Sequence, residues 1–109
     1  MDELSIYFAN DSDIAELEAI SKGYRTDVFV KINESIYSIN IYTMNRLTQD
    51  FQSEVNNYGF YAPEPNLVIV VESKKNEIIE TVKKIFKQQF FNDIKPVENI
   101  DTEQLYRIY

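Results

Sequence analysis

The stretch Asn10-Asp11-Ser12-Asp13-Ile14-Ala15-Glu16 sets several oxygen-bearing side chains in a row, which raises the question of a cation site. A calcium loop of the EF-hand kind needs oxygen ligands at alternate positions and then a glycine for its sharp turn. Here Ala15 and Glu16 follow, and the next glycine is Gly23. The same residues suit the start of a helix better. Asp13 with Glu16 three positions on has the spacing of a capping box, and extra acids are favoured by the helix dipole. Elsewhere the chemistry is bounded by what is missing. The chain has no histidine and no cysteine, which removes Ser–His and Cys–His nucleophile pairs, thiolate metal sites and disulfides. With only Gly23 and Gly59 it has no phosphate-cradling glycine loop. Paired carboxylates remain conceivable among 18 acids, but a general acid needs a burial-raised pKa and these acids sit in polar company. The expectation is a protein that is not an enzyme, with no catalytic residue, no metal and no cofactor.

Binding is the chemistry that this composition leaves. The formal charge is −7, and it is unevenly placed: residues 74–87 carry +3 and the rest of the chain −10. Most of the surface therefore repels phosphate backbones, and since attraction to those phosphates supplies most of the affinity for nucleic acid, such binding is disfavoured. Tyr58, Phe60 and Tyr61 stand beside Pro63 and Pro65, and rigid rings with polar tips are favoured at protein interfaces. The candidate partner contacts are the acids of the first turn, Asp11, Asp13 and Glu16, and the aromatic loop Tyr58, Phe60, Tyr61 and Glu64. A purely structural alternative has Phe60 plugging an edge of the core. The lysines of 74–87 read as a solvated outer helix face, with Glu80 and Lys84 spaced as an i,i+4 pair.

The elements that must position these residues are legible as periodicities. At 109 residues, with 44% apolar side chains, one domain spanning 1–109 is expected, with a core that needs no staples. Leu4, Ile6 and Phe8 alternate as a short strand. Ile14, Leu17 and Ile20 supply the apolar stripe of a helix closed by Gly23. Val28, Val30 and Ile32, the turn Asn33-Glu34-Ser35, and Tyr37, Ile39 and Ile41 predict a β-hairpin with one buried face. Tyr37 and Tyr42 fall on opposite faces, so at most one belongs to the core of a one-sided sheet. Met44, Leu47, Phe51, Val55 and Tyr58 have helical spacing, against a competing extension of the strand through Leu47, Gln49 and Phe51. Residues 59–65 are a loop, since Pro63 and Pro65 block both regular structures. Leu67–Val71, apolar on both faces, predicts a central strand. Ile78, Val82 and Ile85, with Ile79, Phe86 and Phe90, predict a long amphipathic helix. Pro96 begins a tail, in which Asp101 with Gln104 caps a short helix or Leu105–Ile108 forms an edge strand.

The fold class is α+β, a mostly antiparallel sheet with helices on one face. The order β-α-β-β-α-β matches the split βαβ arrangement, so a ferredoxin-like topology with a C-terminal helix and tail is expected. The start Met1-Asp2-Glu3-Leu4 lacks the basic and apolar segments of a signal peptide, and the longest aliphatic run is five residues. A soluble, cytoplasmic protein with no membrane association is expected. Abundant Asn, Ile, Lys, Tyr and Phe, with no Trp, follow A/T-rich codons and suggest a bacterial genome of low G+C content.

Through Phe29–Ile32, Ile36–Tyr42, Pro65–Glu72 and the helix from Glu77 to Phe91, the chain resembles the small acidic immunity proteins of bacterial toxin–immunity systems. The resemblance implies a protein that binds and neutralises a cognate toxin domain through an acidic surface, the toxin being basic. Such proteins share no catalytic signature, so no functional residue is carried over. The alternative expectation is a small regulatory or ligand-sensing domain.

Overall fold

The computed structural model describes residues 2–109. The elements are β1 (Leu4–Phe8), α1 (Asp13–Lys22), β2 (Tyr24–Ile32), β3 (Ser35–Thr43), α2 (Met44–Tyr58), β4 (Leu67–Val70), α3 (Lys75–Lys87), two short 3₁₀ turns (Phe90–Asp93 and Thr102–Gln104) and β5 (Tyr106–Arg107). They form an α+β fold around one five-stranded sheet in the order β4-β3-β2-β1-β5. All pairings are antiparallel except β3 with β4.

The hairpin is the spine of the sheet. In β2 and β3, Val28 lies opposite Ile39 and Val30 opposite Tyr37, and Asn33 turns the chain with φ 54°, a conformation asparagine tolerates. β1 pairs along β2 with Ile6 opposite Val30 and Phe8 opposite Val28. One face of the sheet thus collects Ile6, Phe8, Val28, Val30, Ile39, Ile41, Val68 and Val70, all buried. α3 covers it with Ile78 and Val82, and Phe91 closes it. Tyr37 packs toward this core and Tyr42 lies on the opposite face, as alternation requires.

The sheet order departs from the ferredoxin-like expectation. In a split βαβ unit the strands joined by a helix run parallel with another strand between them. Here β1 and β2 are antiparallel neighbours, because the chain reverses through a ten-residue helix and Leu4, Ile6 and Phe8 meet the matching apolar face of Val28, Val30 and Ile32 directly. Only β3-α2-β4 is a parallel crossover. Nor do the helices share one face: α3 lies on the core side, while Arg46 and Asp50 of α2 reach Tyr24 and Tyr42 on the other.

Three apolar stripes are placed differently from their periodicity. In α1 the inward side is Ala15, Glu16 and buried Ala19, and the aliphatic stripe points outward, leaving Ile14 71% and Leu17 67% exposed. The cause is polar. Glu16 bonds Arg25 and the backbone N–H of Lys75, and Ala19 accepts a hydrogen bond from buried Ser73, which fixes the rotation of the helix. The N-cap is Ser12, whose Oγ accepts from the Ala15 N–H, so the capping box of Asp13 and Glu16 does not form. Second, Leu67–Val70 is an edge strand and not a central one. Third, α3 ends at Lys87 and does not run on to Phe91: Gln89 takes φ 62° and turns Phe90 and Phe91 back under the sheet. The tail does both things expected of it. Asp101 caps the second 3₁₀ turn, and Tyr106–Arg107 then pairs with β1. Among the described residues no helix is long and apolar enough to cross a membrane.

Candidate functional site

α2 begins where β3 ends. Thr43 Oγ1 accepts from the Arg46 N–H at 3.4 Å, and Gly59, with φ 84°, closes the helix in the left-handed conformation that favours glycine. The helix settles the 44–58 ambiguity, and on its inward side polar contacts accompany half-buried Leu47 and Val55. The Arg46 guanidinium stacks on Tyr24 at 4.4 Å from the ring centre and pairs with Asp50 at 3.2 Å. Tyr24 in turn packs on Tyr42, ring centres 5.6 Å apart. No side chain of α2 is fully buried.

Part of its apolar stripe is left on the surface. Met44 is 62% exposed, Phe51 52% and Tyr58 68%, and the loop beyond adds Phe60 at 65%. Tyr61 and Pro63 fold back so that with Met44, Leu47, Thr48 and Phe51 they line a shallow hollow of about 320 Å³. An amphipathic helix normally hides such a stripe in its own core, and a contiguous apolar surface rimmed by polar groups marks an interaction site.

The rim is acidic. Burial raises the Tyr61 hydroxyl above its usual pKa, and the carboxylates of Asp50, Glu54 and Glu64 push it further the same way. Tyr42 is raised by burial first, then by the charge of Asp50 and a hydrogen bond to it. Between Lys31 and Lys74 the only basic residue is Arg46, and it is turned onto Tyr24 and Asp50. The face therefore combines exposed rings with carboxylates and no outward cation among the described residues.

These shifts carry a prediction. A tyrosine whose folded pKa exceeds its unfolded value keeps its proton longer in the native state, so its contribution to stability is whole below about pH 10 and is lost as pH climbs through the folded pKa. Ultraviolet titration at rising pH should show late-ionising tyrosines, and Tyr42→Phe and Tyr61→Phe should each remove one of them. Eight tyrosines titrating together at the ordinary value would contradict the arrangement.

The chain matches no family model, no curated protein and no solved structure. The site accordingly rests on its geometry.

Of the seven residues singled out from sequence, Tyr58, Phe60, Tyr61 and Glu64 lie together in or beside this face. Tyr58 and Phe60 are exposed, so Phe60 does not plug the core, while Glu64 accepts from Asn40 Nδ2 at 3.3 Å. The first-turn acids belong elsewhere, along a groove of about 820 Å³ between α1 and α3. Glu16 is a structural residue: one carboxylate oxygen lies 3.4 Å from Arg25 Nη1 and the other accepts from the Lys75 N–H at 2.9 Å. Asp11 is paired with Lys75 at 2.5 Å. Only Asp13 is left exposed with no ion pair among the described residues. Ion pairs within the chain engage two of the three acids, Asp11 with Lys75 and Glu16 with Arg25. Met44 and Phe51 were missed as surface contacts because helical periodicity reports an apolar face without saying what covers it.

Proposed function

We propose that this protein is a binding module whose partner is a basic protein surface, docked on the apolar flank of α2 and the Tyr58–Glu64 loop. The reading that joins this face to the acidic composition and to the resemblance is an immunity protein that occludes a cognate bacterial toxin domain in the cytoplasm. The observation that carries it is the exposed set Met44, Phe51, Tyr58 and Phe60 beside Asp50, Glu54 and Glu64. Negative potential steers a basic partner into encounter, and aromatic side chains then supply most of the affinity as they are desolvated. Docking of this kind needs neither imidazole nor thiol.

The test uses the protein encoded beside this one. The two should co-elute at low salt, and co-expression should rescue cells from the neighbour's toxicity. Phe60→Ala and Phe51→Asp should each weaken binding by roughly 30-fold or more, as anchor residues do. Absence of both co-elution and rescue would sink the proposal. The rival reading, a small-molecule sensor, asks for a concave apolar pocket. The groove between α1 and α3 instead mixes Ile20, Ile69, Val70 and Val71 with the charged side chains of Asp11, Glu16, Lys75 and Glu77.

A further inference from the structure

Two hollows meet at the loop that follows α2. The first, of about 320 Å³, is walled by Met44, Leu47, Thr48, Phe51, Tyr61 and Pro63, and only Thr48 and Tyr61 bring hydroxyls to it. The second, of about 210 Å³, shares Tyr61 and Pro63 as a common wall and is bounded beyond them by Asn40, Tyr42 and Glu64. One hollow is apolar and the other carries a carboxylate.

The common wall is fixed to the sheet. The Leu67 N–H donates to the Glu64 carbonyl at 3.2 Å, Asn66 Nδ2 donates to the Ser38 carbonyl at 2.8 Å, and Asn40 Nδ2 donates to the Glu64 carboxylate at 3.3 Å. Pro63 and Pro65 stiffen the backbone between these anchors. A surface ordered in advance binds at a smaller entropic cost.

The charges around the hollows are unbalanced. Asp50 is paired with Arg46, but Glu54 and Glu64 have no ion pair among the described residues. Asp50, Glu54 and Glu64 all act on the Tyr61 hydroxyl, so the carboxylates gather about the wall that the hollows share.

We propose that the occupant is an extended segment of a partner protein, with an aliphatic side chain in the first hollow and a lysine or arginine in the second, its head group between the Glu64 carboxylate and the Tyr61 hydroxyl. This rests on the docking face proposed above and names the element of the partner that the face grips. The apolar hollow takes an aliphatic group from any source. The unpaired acids select the flanking cation and reject a carboxylate. In an extended segment side chains two positions apart share one face, about 7 Å from each other, so the recognised element reads aliphatic-x-basic.

The probe is acetyl-Leu-Gly-Arg-amide, titrated to roughly 10 mM against ¹⁵N-labelled protein and followed by amide shifts, a span that catches millimolar binding. Saturating shifts are expected at residues 47–51 and 61–64. Acetyl-Leu-Gly-Glu-amide should produce none, and acetyl-Gly-Gly-Arg-amide should bind at least about fivefold more weakly. Glu64→Gln, on an exposed side chain, should weaken the leucine-arginine probe by roughly three- to fivefold. Thr48→Phe, which fills the apolar hollow from an exposed position, should remove the advantage of leucine over glycine. Both variants should keep the circular dichroism of the parent. No shifts by 10 mM, shifts confined to other parts of the chain, or equal binding of the arginine and glutamate probes each overturn the proposal. Equal binding of the leucine and glycine probes overturns it too, since that leaves a cation contact alone. A neighbouring protein that co-elutes while no probe binds sinks this element and leaves the docking face standing; a probe that binds where no neighbour does keeps the element and removes the toxin.

Discussion

Replacing Arg25 with alanine should cost about 3 kcal/mol of folding stability, a large share of the 5–15 kcal/mol that holds a small domain together. Arg25 is 4% exposed and is held from all sides. Its Nε pairs with Asp27 at 2.7 Å, Nη1 with Glu16 at 3.4 Å, and Nη2 donates to the Asn10 carbonyl. The guanidinium plane lies 3.5 Å from the centre of the Phe8 ring, at the rim of the core. Truncation strips two carboxylates of their shared cation, orphans a carbonyl and opens space against Phe8. The acids are each 28% exposed, so water relieves part of the penalty, and the cost sits at the low end of the range for a broken buried pair. Thermal unfolding should fall by roughly 10–20 °C. Arg25→Ala combined with Asp27→Asn should recover part of the loss, because one unpaired charge is gone. A single-variant loss below about 1 kcal/mol in urea unfolding would mean that the network does not hold α1 to the sheet.

That network also explains which parts of the molecule were legible in the sequence. The hairpin, β1 and the helical character of α2 and α3 follow from local periodicity, because in each the pattern of apolar residues sets the geometry of the element. The destination of a face is a different matter. Ile14, Leu17 and Ile20 have helical spacing, yet three polar contacts of Glu16 and Ala19, made with residues 9 to 59 positions away, rotate α1 so that this stripe meets solvent. Leu67–Val71 looks central because both its faces are apolar, but the β3-α2-β4 crossover delivers it to the rim. The candidate site divided along the same line. Tyr58, Phe60, Tyr61 and Glu64 are neighbours in sequence and remained neighbours in space. Asp11 and Glu16 were claimed by Lys75 and Arg25, cations that nothing in the local pattern connects to them. The same long-range pull leaves part of the α2 stripe uncovered, so the features missed as structure reappear as candidate surface.

Phe91→Ala should destabilise the protein by about 3–5 kcal/mol, whereas Phe60→Ala should change stability by no more than about 0.5 kcal/mol. Phe91 lies in the 3₁₀ turn Phe90–Asp93 and Phe60 in the loop after α2. Phe91 is 3% exposed and sits against the Tyr37 ring at 5.2 Å and the Phe90 ring at 5.3 Å, edge-on to the latter. Gln89 is held in the left-handed conformation to bring it there, a backbone cost that a non-glycine residue sustains only when packing repays it. Truncation removes the ring and leaves a cavity under β3, which the segment from Ile94 to Val97 can relax into only by giving up its bond to Ile36. Phe91→Leu keeps most of the volume and should lose less. Phe60, 65% exposed, gives up little on truncation in the free protein, and its importance should appear only in the complex. Urea unfolding of the two alanine variants side by side decides the point: equal losses would mean either that Phe91 does not close the core or that Phe60 is buried, and in the second case the docking face built on it loses its principal anchor.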